Sequence, residues 1–76
     1  MAYRRYIVRN RDNEAWLTHI YAENGTKIYR FLPDPMEARI FDTAHEARKA
    51  AEGCFGRVQL LKVRRDGTAY GEDVKK

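Results

Sequence analysis

The sequence predicts an α+β fold: a mostly antiparallel sheet of four to five strands with one helix packed on one face. Three observations predict it. Short runs rich in branched and aromatic residues recur along the chain, separated by turn residues. An Asn-Gly pair sits between two of these runs, a strong short-range signal for a hairpin. One stretch, ARIFDTAHEARKAAEGC (38–54), changes to helical spacing after its first few residues. The element order reads β-β-β-(β)-α-β-(β).

YRRYIVR (3–9) is the first strand, and the polar run NRDNE (10–14) breaks it. AWLTHIYA (15–22) and KIYRF (27–31) are the second and third strands, joined across ENGT (23–26). Asn24 and Gly25 are the two loop residues, because both central positions of a type I′ turn need positive φ. Counting back from that turn sets Tyr21 opposite Ile28, Ile20 opposite Tyr29, His19 opposite Arg30 and Thr18 opposite Phe31. Side chains alternate along a strand, so one face is expected to carry Trp16, Thr18, Ile20, Tyr29 and Phe31. The other carries Leu17, His19, Tyr21, Ile28 and Arg30. Trp16 and Phe31 make the first face the richer in apolar surface, and it is expected to face the core.

LPDP (32–35) ends the hairpin, since two prolines within three positions cannot continue a central strand. A short extended piece follows at Arg39-Ile40-Phe41. Thr43-Ala44-His45-Glu46 fits a capping box, with Thr43 as the N-cap and Glu46 reaching back to it. The helix is expected from about Ala44 to Glu52, with Gly53 as its left-handed stop. Ala44, Ala47, Ala50, Ala51 and Cys54 form a face of small side chains that lets the helix lie close on the sheet. RVQLLKVRR (57–65) is the next strand, closed by Asp66-Gly67, and Thr68-Ala69-Tyr70 returns as a short edge. Residues 1–70 are expected to form a single domain and 71–76 a frayed tail.

Composition narrows the function. A chain of 76 residues buries only about 60% of its unfolded surface. It has no apolar run near the ~20 residues needed to cross a bilayer. No amino-terminal signal is legible, and the expectation is a cytosolic protein. The single Cys54 offers neither an internal disulfide nor a thiol pair for zinc, and reads as core filler. The net charge is +4 and Arg outnumbers Lys two to one. That surplus permits contact with nucleic acid or an acidic protein face, and argues against a mimic of DNA.

No constellation of reactive groups points to catalysis. Asp42, His45 and Glu46 are explained by the helix start, where negative charge suits the positive end of the helix dipole. His19 has no nucleophile motif to serve. Asp34 and Glu37 lack the strand-borne partners of a nuclease metal pair, and their loop reads as a turn built on Pro33 and Pro35. The glycines are scattered singly, so no phosphate-cradling loop exists. The chain is therefore expected to be a non-enzyme without cofactor or metal.

The open sheet face is the most informative surface. Tyr21, Arg30, His19, Leu17 and Ile28 would place an aromatic ring and a guanidinium on a flat, partly apolar platform, and Tyr and Arg are enriched at binding hot spots. Arg4, Arg9 and Arg64, with Arg5, Arg11 and Arg65, add charge near strand ends. Aromatic and basic groups on a sheet also suit single-stranded nucleic acid.

The stretch ARIFDTAHEA (38–47), following a YIVR strand and an Asn-Gly hairpin, resembles small phage and prophage α+β proteins. Their pattern runs strand, hairpin, then a phrase like A-x-x-F-x-T-x-x-E-A leading into one helix and a final strand. Proteins of that build include anti-CRISPR proteins and other inhibitors of host defence, which act by binding. The resemblance implies a phage or mobile-element inhibitor that occupies a surface of a host protein or ribonucleoprotein complex. It carries over no site residues, because the class shares no functional motif. A direct nucleic-acid-binding module and a homodimer formed through the open face are the alternatives.

Overall fold

The chain folds in the order β1 (Tyr6–Asn10), β2 (Trp16–Glu23), β3 (Thr26–Leu32), a 3₁₀ turn (Pro35–Glu37), α1 (Ala44–Cys54), β4 (Gly56–Val63) and β5 (Ala69–Asp73). This computed structural model describes residues 4–74, so Tyr3 of the expected first strand and Lys75–Lys76 of the expected tail lie outside the described residues. The strands make one antiparallel sheet in the order β3-β2-β1-β4-β5. The α+β arrangement with one helix on an antiparallel sheet is therefore the fold of the chain. No helix among the described residues is long and apolar enough to cross a membrane.

Asn24 and Gly25 have φ of 53° and 79°, as a type I′ turn requires. The register that follows from the turn holds as far as His19: Tyr21 pairs with Ile28, Ile20 with Tyr29 and His19 with Arg30. It then breaks. A bulge falls between Leu17 and His19, and Leu17, not Thr18, stands opposite Phe31. Thr18 is the extra residue, and its hydroxyl donates to the Arg30 carbonyl at 3.1 Å, taking up a backbone acceptor at the interrupted ladder. An added residue in one strand reverses every side chain beyond it. Leu17 turns under the helix and is fully buried with Val8, Phe41, Ala47 and Ala51. Trp16 turns to the other face and packs with Ile7, Ala38 and Leu61. The expectations that Trp16 and Phe31 share the core face and that Leu17 belongs to the open one are both corrected.

Both faces of the sheet thus carry apolar residues. The helix covers one with its small residues, of which Ala47 and Ala51 are buried. The other is covered in part by the loop that carries Ala38. β1 and β2 share one register pair, Arg9 with Trp16. The expected extended piece at 39–41 takes up further groups of both strands. The Arg39 amide donates to the Leu17 carbonyl at 2.8 Å, and Tyr6 and Phe41 exchange bonds of 3.1 and 2.8 Å.

The helix start follows the sequence. Thr43 caps it, accepting from the Glu46 amide at 3.2 Å while its hydroxyl donates to the Glu46 carboxylate at 3.3 Å. The helix end does not. Gly53 lies inside the helix, and the left-handed residue is Phe55, with φ 55° and ψ 50°. Space decides this. A Cβ at position 53 would overlap the Tyr29 hydroxyl, and one at position 56 would come within 2.6 Å of a Val8 methyl and 2.9 Å of the Arg9 carbonyl oxygen. Both glycines flanking Phe55 stand where another element approaches closely.

The expected frayed tail is also corrected. Gly71, Glu72 and Asp73 belong to β5 and pair with Leu61, Leu60 and Gln59 of β4. The turn before them is the expected Asp-Gly turn, with Gly67 at φ 90°.

Candidate functional site

Strand direction places the candidate residues. β1 and β4 each run antiparallel to their neighbours, so the 24–25 and 66–67 turns lie at one end of the sheet. The start of β4, with Phe55 and Gly56, lies at the opposite end beside Asn10.

At the first end, the hairpin face away from the helix carries His19, Arg30, Tyr21 and Ile28, two cross-strand pairs in sequence. Tyr21 is 47% exposed, His19 and Arg30 are exposed, and Ile28 is half-buried. The Thr18 hydroxyl, which donates to the Arg30 carbonyl, also lies 3.0 Å from His19 Nδ1. That contact orients the imidazole against the bulge. The bulge therefore orders the platform as well as setting the strand's faces. Four of the five expected platform residues come together, and Leu17 does not.

The expected flanking arginines separate. Arg4 is exposed at the start of β1, the same end of the sheet as the hairpin turn. Arg64 is also at that end, but its guanidinium lies 4.3 Å from the centroid of the Tyr70 ring and bonds the Thr68 hydroxyl at 3.3 Å. Arg9 is half-buried at the base of the hairpin, opposite Trp16 and Arg57. It stands away from Tyr21 and does not join the platform.

A second region was not foreseen from the sequence. Between the end of α1 and the start of β4 lies a cleft of about 640 Å³, lined by Arg11, Arg48, Glu52, Phe55 and Arg57 among others. Phe55 is 64% exposed, and the Arg11 guanidinium sits 5.6 Å from its ring centroid. Arg11 is held there by donating from Nε to the Gly56 carbonyl at 3.1 Å. The only sequence signal for this cleft was an aromatic residue between two glycines at a helix end.

A polar chain that is buried at Trp16 and Gln59 and reaches the cleft at Asp73 and Arg57 was also missed. Trp16 Nε1 donates to Gln59 Oε1 at 2.9 Å, and Gln59 Nε2 donates to Asp73 Oδ1 at 2.8 Å. Arg57 Nε is 3.6 Å from the same carboxylate oxygen. Gln59 is 5% exposed, and its amide fills the space a side chain at Gly71 would need.

No group of three or more His, Cys, Asp and Glu among the described residues is placed to hold a metal ion. Cys54 is half-buried against the core, and burial raises its thiol pKa above the ordinary 9.0, so it is a poor nucleophile at neutral pH. Compared with known proteins, the chain matches no family model, no curated sequence and no solved structure.

Proposed function

We propose that this is a non-enzymatic binding protein that acts by occupying a surface of a partner macromolecule, using the Tyr21/Ile28 and His19/Arg30 face of its hairpin. One observation carries the reading: an exposed aromatic, a guanidinium and an oriented imidazole stand side by side on one regular stretch of sheet. Tyr and Arg supply much of the energy of such contacts because each combines a large contact area with directed hydrogen bonding. A hairpin face needs no rearrangement to present them. The likeness of the 38–47 phrase to phage inhibitors gives the partner a kind, a host defence protein or ribonucleoprotein complex of the sort anti-CRISPR proteins block, with the host cytosol as the place of action.

Capture of a host partner on the immobilised protein, with the double variant Tyr21→Ala/Arg30→Glu alongside, tests the surface. Both positions are exposed, so circular dichroism of the variant should match the parent while capture is lost. Undiminished capture by the variant rejects the surface.

The net charge of +4 favours one second reading, direct binding of single-stranded nucleic acid by the same face. Nuclease treatment before capture and a salt titration separate the two. Affinity for a phosphate backbone falls steeply with salt as counterions are released, and a mixed protein interface responds less.

A further inference from the structure

We infer that the cleft at Phe55 is a second binding site, specific for a nucleotide unit, with the base stacked on the Phe55 ring and the phosphate held by Arg48 and Arg11. Three features set Phe55 apart. Its backbone is left-handed, a conformation that bulky side chains rarely adopt and that glycine would supply without strain. Its ring is 64% exposed, so it does not serve the core. An arginine anchored to the backbone next door lies over that ring. Sparsely populated backbone conformations concentrate at binding and catalytic sites.

The surroundings define the ligand. Arg48 and Glu52 are one helical turn apart on α1 and line the same cleft as Phe55. Arg11 spends its Nε on the Gly56 carbonyl, which leaves its terminal nitrogens for an anion. Guanidinium groups bind phosphate through paired hydrogen bonds, and an aromatic face next to them takes a planar base. Glu52 adds an acceptor for the amino or hydroxyl groups of a nucleoside. The volume, about 640 Å³, is that of a small-ligand pocket. The site lies at the end of the sheet away from the hairpin turn, so it stands or falls independently of the proposed hairpin surface.

The shared chemistry, base plus phosphate, comes either from a free mononucleotide or from the phosphorylated end of a single strand. Titrate the ¹⁵N-labelled full chain with AMP, with a 5′-phosphorylated oligodeoxyadenylate, with adenosine and with inorganic phosphate, following backbone amides by NMR. The expected result is a saturable shift centred on Arg11, Arg48 and Phe55 for one or both phosphorylated nucleotides, with adenosine and phosphate each at least about tenfold weaker. The one that binds more tightly identifies the source. Phe55→Gly, which relieves the backbone, should weaken binding about five- to a hundredfold, the range of one lost base stack. Arg48→Gln should reduce the preference for the nucleotide over adenosine, with Arg11 left to hold the phosphate. Saturation by neither nucleotide, or unchanged affinity in Phe55→Gly, overturns the inference.

Discussion

Leu17 stands directly opposite Phe31 across the β2–β3 ladder, on the helix side of the sheet, while its neighbour Trp16 points to the other side. This pairing exists because Thr18 is bulged. It gives the small domain two apolar clusters, one on each face of the sheet, in place of one core and one open face. On the hairpin, the half near the turn is left to solvent.

Leu17→Ala should therefore cost about 2–5 kcal/mol of stability, the range for truncating a buried leucine. Tyr21→Ala, four residues on, should change stability by less than about 0.5 kcal/mol, as at other exposed sites. Urea denaturation of the two variants checks this. Equal losses would mean that the bulge does not sort the strand as described.

The hairpin was legible where local chemistry governs it. Asn24-Gly25 dictates φ at two residues, and the ladder follows for five pairs, from Glu23 and Thr26 up to His19 and Arg30. The bulge was not legible, because it depends on the competition between Trp16 and Leu17 for the space under α1. Thr43 and Glu46 announced the helix start through a local bond pattern, whereas the glycines at its end answer to Tyr29 and Val8, which approach from other elements. The continuation of the last strand beyond Tyr70 was hidden for a similar reason. Gly71-Glu72-Asp73 has little strand propensity of its own, and is held by pairing with β4 and by the Gln59 amide. The hairpin platform was thus four-fifths readable, and the Phe55 cleft, built from the β1–β2 loop, α1, β4 and the end of β5, was not.

Gln59→Leu tests the buried polar chain. It leaves the Trp16 indole N–H without its acceptor inside the sheet face, and a buried unsatisfied donor costs about 1–3 kcal/mol. The variant should lose that much in chemical denaturation. Adding Trp16→Phe, which removes the donor, should recover part of the loss. A double variant with strictly additive losses would show that the indole bond carries no coupling.

Phe55→Gly separates a staple from a binding residue. Relief of the left-handed backbone is offset by the flexibility that glycine adds and by loss of the Arg11 contact, each about 0.5–1 kcal/mol. Stability should stay within about 1 kcal/mol of the parent. A loss of about 3–5 kcal/mol, as for a core phenylalanine, would mean that the ring holds the fold together.

Asp66 makes the β4–β5 turn sensitive to acid. Its carboxylate accepts from the Thr68 hydroxyl at 2.7 Å and from the Thr68 amide at 3.0 Å, and Arg64 lies nearby, so its pKa is held below the ordinary 3.8. A depressed pKa stabilises the fold at pH values above the unfolded carboxyl's pKa, and that contribution disappears as pH falls through the folded value. The stability difference between the parent and Asp66→Asn should be constant from pH 5 to 7 and should shrink below about pH 3.8. A difference that does not change with pH would show that the turn takes no support from the charge.

Cys54 should behave in the opposite sense at the alkaline end. Removal of its thiol from water is the larger influence and raises its pKa above 9.0. The folded chain therefore keeps the proton at pH values where the unfolded chain has lost it. That contribution to stability is complete below the unfolded pKa and is lost as pH rises through the folded one. Alkylation by iodoacetamide should accordingly be slow at pH 7 and should rise with a midpoint above 9, while in denaturant the midpoint falls back toward the ordinary value. Cys54→Ala should lose less stability than the parent between neutral pH and the alkaline range. A folded-state midpoint below 9 would mean that the thiolate has a stabilising neighbour, which the contacts of Cys54 with Ala51 and the core do not provide.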